Sequence, residues 1–263
     1  MALQLLNKIF LGMIAYYFLR RGIKNENSGD YKGATREFKK ALQIEPTNAY
    51  AISWLAHTYI QLDEPDEAFN VLKNSQKPIQ NDDSLWYNLA IAFEKKEKIE
   101  QAMNCYRKSL EINPSNADAM INLGLIYKRK TQFQEALDLF TKAYNINSSD
   151  PNLLGNMGSL LSHMERYLDA IDYFNKAIEL KPNRAELYRG LGTAQMCAVF
   201  FDQAEKSYKK ALELDANDRD TYFCLGKLYL EMDLEDLARH QFEKAASMGD
   251  EESIEILKNF PEQ

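Results

Sequence analysis

An alanine recurs at every 34th position of the sequence, and this period limits the fold more than any other feature of the chain. The register is unbroken through Ala34, Ala68, Ala102, Ala136, Ala170, Ala204 and Ala238. A period of about 20–50 residues is the signature of repeat architectures, in which each unit is one supersecondary element that packs on its neighbours. We therefore expect the 263 residues to form tandem repeat units rather than one or two globular domains.

Other positions share the period and indicate what each unit contains. Four residues after each alanine stands a large apolar residue, namely Phe38, Leu72, Tyr106, Phe140, Phe174, Tyr208 and Phe242. Twelve residues before each alanine stands a glycine or an alanine, at positions 22, 56, 90, 124, 158, 192 and 226. Such spacings are typical of helix faces. They predict two antiparallel helices per unit, with small residues facing one another where the helices cross.

One unit shows the pattern most completely, and its matching residues are Trp86, Leu89, Ala90, Phe93, Ala102, Tyr106, Ser109 and Pro114. This unit resembles the tetratricopeptide repeat (TPR), whose 34-residue pattern is W-x₂-L-G-x₂-Y, then A-x₃-F-x₂-A, then P. The resemblance implies an all-α fold, a right-handed superhelical solenoid of antiparallel helix pairs. In this register the chain has an N-terminal apolar helix over residues 1–14, seven repeats over residues 15–252 and a C-terminal capping helix over residues 253–263.

Residues 1–19 are mostly apolar and are followed by Arg20, Arg21 and Lys24. One interpretation is a helix that packs on the first repeat and continues into its first helix. Another is an uncleaved membrane anchor, although the apolar run from Ile9 to Leu19 has 11 residues and a span needs about 20. A cleaved signal peptide is less favoured, because the sequence shows neither a basic segment before the run nor a small-residue cleavage site after it. We expect a cytoplasmic protein, with membrane association through residues 1–19 left open.

The composition disfavours several classes of function. The 32 Lys and Arg residues are outnumbered by 39 Asp and Glu residues, giving a net charge of −7, and no basic run would follow a phosphate backbone, so we expect no nucleic-acid partner. Three scattered cysteines indicate a reducing compartment. The histidines stand at no zinc-binding spacing, and no nucleotide-binding or nucleophile motif has a supporting context. We therefore expect no metal, no cofactor and no enzymatic activity.

The TPR resemblance implies that the first helix of each pair lines a concave groove that binds peptides or helices of other proteins. The residues expected to bind there are Trp54, His57, Tyr87, Asn88, Asn122, Asn156, Lys128, Arg129 and Arg189. The three asparagines share one register in consecutive repeats, and a carboxamide can bind a peptide unit regardless of the ligand's side chains. Asparagine is also frequent at this register in the family, so this ladder has a structural as well as a binding interpretation.

The turn within the sixth repeat contains Val199 and Phe200, where other repeats have polar residues. An exposed apolar edge is typical of an association site, here for a second copy of the chain or for the N-terminal segment. The predicted function is a non-catalytic scaffold or adaptor that binds peptide segments of partner proteins in its groove. The alternatives are a membrane-anchored regulatory subunit of an enzyme or assembly complex, and a self-assembling structural scaffold.

Overall fold

A computed structural model describes the backbone of residues 2–74 and 82–260, with side chains from residue 9 onward. All regular secondary structure in these residues is helical, which confirms the predicted all-α fold. The helices are α1 (Ala2–Asn27), α2 (Tyr31–Ile44), α3 (Ala49–Gln61), α4 (Pro65–Lys73), α5 (Asp83–Lys95), α6 (Ile99–Ile112), α7 (Ala117–Arg129), α8 (Phe133–Ile146), α9 (Pro151–His163), α10 (Tyr167–Leu180), α11 (Ala185–Cys197), α12 (Phe201–Leu214), α13 (Arg219–Glu231), α14 (Glu235–Ser247) and α15 (Glu251–Lys258). Residues 261–263 of the predicted C-terminal cap lie outside the described residues.

The chain divides into two compact units, residues 1–126 and residues 127–263. In unit 1, α1 packs on α2, α3 on α4 and α5 on α6, and the first helices α1, α3 and α5 also contact one another in sequence. In unit 2 the pairs are α9 with α10, α11 with α12 and α13 with α14, while α15 packs on α14. Within each unit, therefore, helix pairs contact their neighbouring pairs in chain order, as the 34-residue period predicts.

The periodic residues form the core of both units. The seven alanines that define the period are fully buried, and so are the large apolar residues four positions later, apart from Phe174 at 4% exposure. Four of the glycines twelve residues before the alanines, Gly22, Gly158, Gly192 and Gly226, lie against those rings rather than against other small residues. A Cβ on Gly158 would come within 2.9 Å of the Phe174 ring, and a Cβ on Gly226 within 2.7 Å of the Phe242 ring. The expected contact between small residues is thus corrected: glycine is needed because an aromatic ring of the second helix occupies the space.

The turn within each repeat has the same backbone conformation in all seven units. Its residue with positive φ is Gly29, Asp63, Glu97, Thr131, Glu165, Val199 or Asp233. After this residue the chain hydrogen-bonds back to the first helix, as where Phe200 N donates to the Gln195 carbonyl oxygen at 2.8 Å. Positive φ is disfavoured for every residue except glycine, and most strongly for β-branched residues. Val199, with φ of 65°, and Thr131, with φ of 58°, are the two β-branched residues at this position, so both are poorly suited to the turn.

Helix α1 extends well beyond the helix that covers it. It runs without a break through position 14 into the first repeat. Glu45, just after the end of α2, lies level with Gly12, so the part of α1 up to Met13 lies at or beyond the end of its partner and is called its projecting part. Ile9, Phe10 and Met13 are 54%, 61% and 67% exposed, and the packing predicted for this segment is absent at these three residues. Among the described residues, no helix combines the length and apolarity needed to cross a membrane.

Candidate functional site

The candidate site lies on the first helices of the repeats in unit 1. A periodic contact joins these helices: the twelfth residue of one repeat meets the ninth residue of the next. Glu26 on α1 meets His57 on α3 in this way, and Ile60 on α3 lines a pocket together with Ile91 on α5. The spacing between such partners is 31 residues. Side chains from successive repeats are thereby brought together on one face of each first helix.

A buried carboxylate fixes the first of these contacts. Glu26 is 7% exposed, and one of its oxygens lies 2.6 Å from His57 Nδ1 while the other accepts a hydrogen bond of 3.1 Å from Thr58 Oγ1. The hydrogen bond with Glu26 raises the pKa of His57 above its ordinary value, against the opposing effect of burial. Trp54 packs edge-on against the His57 ring, with centroids 6.1 Å apart, and stacks on Phe38. The imidazole is therefore held in one orientation and favours its charged form.

A polar pocket opens between α3 and α5, next to this histidine. Its volume is about 480 Å³. The residues that line it are His57, Ile60, Gln61, Asp63, Asn88, Ile91, Ala92 and Lys95. His57, Asn88 and Gln61 present nitrogen atoms that can donate hydrogen bonds, and Lys95 adds an ammonium group. This arrangement can bind a polar or anionic group presented by a ligand.

Two predicted groove residues of unit 1 contact each other instead of standing free. Asn122 Nδ2 on α7 donates a hydrogen bond of 3.2 Å to the Tyr87 hydroxyl on α5. Burial raises the pKa of Tyr87, so its hydroxyl stays protonated at neutral pH. Tyr87 also packs against Tyr106, with ring centroids 5.9 Å apart. This pair links the third and fourth repeats, while Asn88 remains part of the polar pocket.

The remaining predicted groove residues lie in unit 2. Lys128 Nζ donates to Ser159 Oγ at 2.6 Å, and burial lowers the pKa of this lysine. Arg189 Nη1 lies 2.6 and 2.7 Å from the two oxygens of Asp218, the residue that caps the start of α13. Arg129 is exposed and Asn156 is half-buried. Arg189 is thus already neutralised by an ion pair, and Lys128 is held between two repeats.

Sequence reasoning named His57 and Asn88 but missed the other residues that line the pocket, among them Gln61, Asp63 and Lys95, and it also missed Glu26, which contacts His57. Glu26 could have been found from the contact between the twelfth residue of one repeat and the ninth residue of the next. At these two positions the sequence pairs an acidic residue with a histidine. A carboxylate on the buried side of a first helix is unusual unless it has a partner. The same pairing of twelfth and ninth residues also predicts the contact between Lys128 and Ser159.

The predicted association edge is exposed in unit 2. Val199 and Phe200 are 68% and 41% exposed, and Leu168 in the preceding repeat is also exposed. Leu168 and Phe200 line a shallow pocket of about 490 Å³ together with Tyr167. The apolar surface of the turn is therefore accessible and continues onto the neighbouring repeat.

Comparisons with known proteins agree on the type of repeat. The family model described as the tetratricopeptide repeat protein 21 C-terminal ARM domain matches residues 19–191, and a model described as a TPR repeat matches residues 201–233. Among curated proteins, protein bimA of Emericella nidulans is 27% identical over 84 residues, which cover 32% of this chain and 10% of that protein. The aligned stretch is thus a small part of that relative.

Several solved structures share the fold at low sequence identity. The C-terminal part of a TPR repeat-containing protein from Cytophaga hutchinsonii is 17% identical, with a TM-score of 0.72, and the alignment covers 90% of this chain and 98% of that one. YrrB, described as a TPR protein with an unusual peptide-binding site, is 24% identical, with a TM-score of 0.58 and coverage of 74% and 98%. Cut9 in its complex with Hcn1 is 18% identical, with a TM-score of 0.62 and coverage of 92% and 48%. At these identities the likeness shows the fold alone.

Proposed function

The chain belongs to the tetratricopeptide repeat family, and on this premise we propose that it is a non-catalytic scaffold that binds peptide segments of partner proteins. The observation that carries the proposal is the polar pocket between α3 and α5, because it lies at the predicted groove positions of two neighbouring repeats. YrrB, which shares the fold, is described as having a peptide-binding site. A protein-interaction scaffold is the function that suits this family and this fold.

The pocket region offers the groups that a peptide ligand needs. Asn88 supplies both a donor and an acceptor for a peptide unit. Trp54 is half-buried beside the pocket, and its ring offers apolar contact area for a ligand side chain. Neither residue belongs to the fully buried core, so both can contact a ligand without unpacking the repeat.

Replacement of Asn88 by alanine tests the proposal directly. Loss of hydrogen bonds worth about 0.5–1.5 kcal/mol each should weaken peptide binding about two- to tenfold. The measurement is a peptide-array profile of the full chain followed by titration calorimetry with the best-bound sequences. Asn104→Ala is the matched control, because Asn104 is exposed on the second helix α6. Equal affinities for the Asn88→Ala variant and the unmodified protein would contradict binding at this pocket.

A second candidate function is attachment to an anionic membrane surface through the projecting part of α1. Ile9, Phe10 and Met13 are exposed there, and residues 1–25 contain four Lys or Arg residues and no Asp or Glu, whereas the whole chain has a net charge of −7. Apolar side chains combined with cations are what an interfacial helix uses to bind anionic lipid. Attachment of this kind would place a peptide-binding scaffold at a membrane.

A further candidate is self-association through the apolar edge formed by Leu168, Val199 and Phe200. These three side chains are all exposed, and apolar surface of this kind is typical of contacts between proteins.

A further inference from the structure

We propose that the pocket between α3 and α5 binds the anionic oxygen atoms of an acidic side chain of the peptide ligand, with His57 and Lys95 as the recognising cations and Asn88 as a neutral donor. This inference deepens the proposed function and rests on it, because the acidic group is part of the bound peptide. Carboxylate and phosphate groups share the required chemistry, since each presents at least two anionic oxygens to hydrogen-bond donors.

The first step of the argument concerns His57. Its Nδ1 is occupied by Glu26 at 2.6 Å, which leaves Nε2 as the ring nitrogen that faces the pocket. Nε2 lies 3.4 Å from the Gln61 side-chain nitrogen, and because both nitrogens are donors when the ring is charged, this contact is not a hydrogen bond. The charged ring has a second N–H group, and its best acceptor would be an anionic oxygen. The buried carboxylate thus prepares the histidine to act as a donor toward the pocket.

The second step concerns the balance of charge around the pocket. Glu26 is paired with His57, and Asp63 is paired with Lys96 at 2.6 Å. Lys95 is exposed and makes no ion pair with any residue that the structure describes. The pocket therefore keeps one uncompensated positive charge together with neutral donors. Such a site favours an anion over a cation or an apolar group.

The third step concerns the shape of the ligand. Ile60 and Ile91 line the pocket with apolar surface, which suits the methylene groups of a glutamate or the chain of a phosphorylated residue. The polar groups come from two neighbouring first helices, so a ligand running along these helices can present a side chain between them. A pocket of about 480 Å³ has room for such a side chain.

The test uses four synthetic peptides built on one sequence chosen from the array, with Glu, Gln, phosphoserine or Lys at the central position. Titration calorimetry with the full chain should show binding of the glutamate or phosphoserine peptide about tenfold tighter than that of the glutamine peptide. Lys95→Met should remove most of this preference. Lys108→Met, at an exposed lysine on α6, is the matched control and should keep the preference. The tighter of the two anionic peptides identifies the source of the charge.

The outcomes separate the inference from the proposed function. Equal binding of the glutamate, phosphoserine and glutamine peptides would overturn the inference while leaving peptide binding in place. Absence of binding by every peptide on the array would overturn both.

A second measurement does not depend on the choice of peptide. The ring-proton resonance of His57 should shift saturably when N-acetylglutamate N-methylamide or inorganic phosphate is added, and the shift should be absent in Lys95→Met. A resonance unaffected by both probes in the unmodified protein would also overturn the inference.

Discussion

Val199 and His57 are the single residues whose environments have the clearest energetic consequences. Val199 is a β-branched residue at a turn position that requires positive φ, where glycine stands in the first repeat. The hydrogen bond with Glu26 raises the pKa of His57 above its ordinary value. Val199 strains the backbone, whereas His57 stabilises the fold only over part of the pH range.

Replacement of Val199 by glycine should stabilise the protein. A left-handed backbone costs a residue with a Cβ about 1–2 kcal/mol, of which the greater flexibility of glycine in the unfolded chain offsets a part. We therefore expect the free energy of unfolding to rise by about 1 kcal/mol in urea titrations followed by circular dichroism. Ala198→Gly is the control and should destabilise, because Ala198 has φ of −83°. A Val199→Gly variant less stable than the unmodified protein would contradict strain at this turn.

The ion pair between His57 and Glu26 should make stability depend on pH. Because folding raises the pKa of His57 above 6.5, the protonated ring stabilises the fold fully below that pH, and the contribution is lost as pH rises through the folded-state pKa. Lys95 across the pocket opposes the charged ring, whereas Glu26 and Asp63 favour it. The effect should stay below about 1 kcal/mol, since the His57 side chain is 39% exposed.

The measurement is the melting temperature of the unmodified protein and of His57→Gln between about pH 5.5 and pH 8.5, a range that brackets the ordinary histidine pKa. The difference in melting temperature between the unmodified protein and His57→Gln should decrease as pH rises. His163→Gln is the control, because its Nδ1 lies 2.7 Å from the Ser159 carbonyl oxygen rather than a carboxylate. A melting-temperature difference that is constant across the pH range would contradict a stabilising ion pair between His57 and Glu26.

At the scale of the helix, α1 differs from every other first helix in the described chain. It has 26 residues, whereas α3, α5, α7, α9, α11 and α13 have 13 each. The extra length lies at the N-terminal end, beyond the reach of α2. This projecting part presents apolar residues that no other described helix covers, so its surface is available to a membrane or to another molecule.

The projecting part of α1 should bind anionic vesicles. In co-sedimentation, the full chain should pellet with phosphatidylserine-containing vesicles more than with phosphatidylcholine vesicles, and added salt should reduce the difference. The double variant Phe10→Ser and Met13→Ser should lose most of this binding. Tyr50→Ser, at an exposed aromatic residue of α3, should retain it. If the double variant and the unmodified protein pellet equally with anionic vesicles, the projecting part of α1 is not the membrane-binding surface.

At the scale of the whole molecule, the sequence predicts the fold far better than the site. Ala170 and Phe174 are predictable because core positions recur every 34 residues. Once the repeat register is assigned in one unit, the core positions of every other unit follow from it. The pairing of Glu26 with His57 is harder to predict, because it joins unlike residues 31 positions apart in different repeats. Asn122 is a different case: its register predicts a ligand contact, and its amide also donates a hydrogen bond to the Tyr87 hydroxyl, which the register did not predict. A repeat fixes positions, whereas a binding site depends on the few residues that differ between repeats.

Self-association through the apolar edge belongs to this scale as well. If Phe200 and Leu168 contact a second copy, the mass from light scattering should rise with protein concentration, and Phe200→Ser should hold the protein at the mass of one chain. Leu180→Ser is the matched control, since Leu180 is exposed on unit 2 but does not line the pocket at the edge. A mass that stays constant with concentration in the unmodified protein would exclude association by this route.

Both tryptophans of the chain, Trp54 and Trp86, belong to unit 1. Tryptophan emission therefore reports the unfolding of that unit alone, whereas far-ultraviolet circular dichroism reports the helices of both units. If the repeats unfold as one cooperative system, the two signals will change at the same denaturant concentration. If the units unfold separately, as a chain of nearest-neighbour contacts permits, the signals will separate, and the emission curve will give the stability of unit 1 without any labelling.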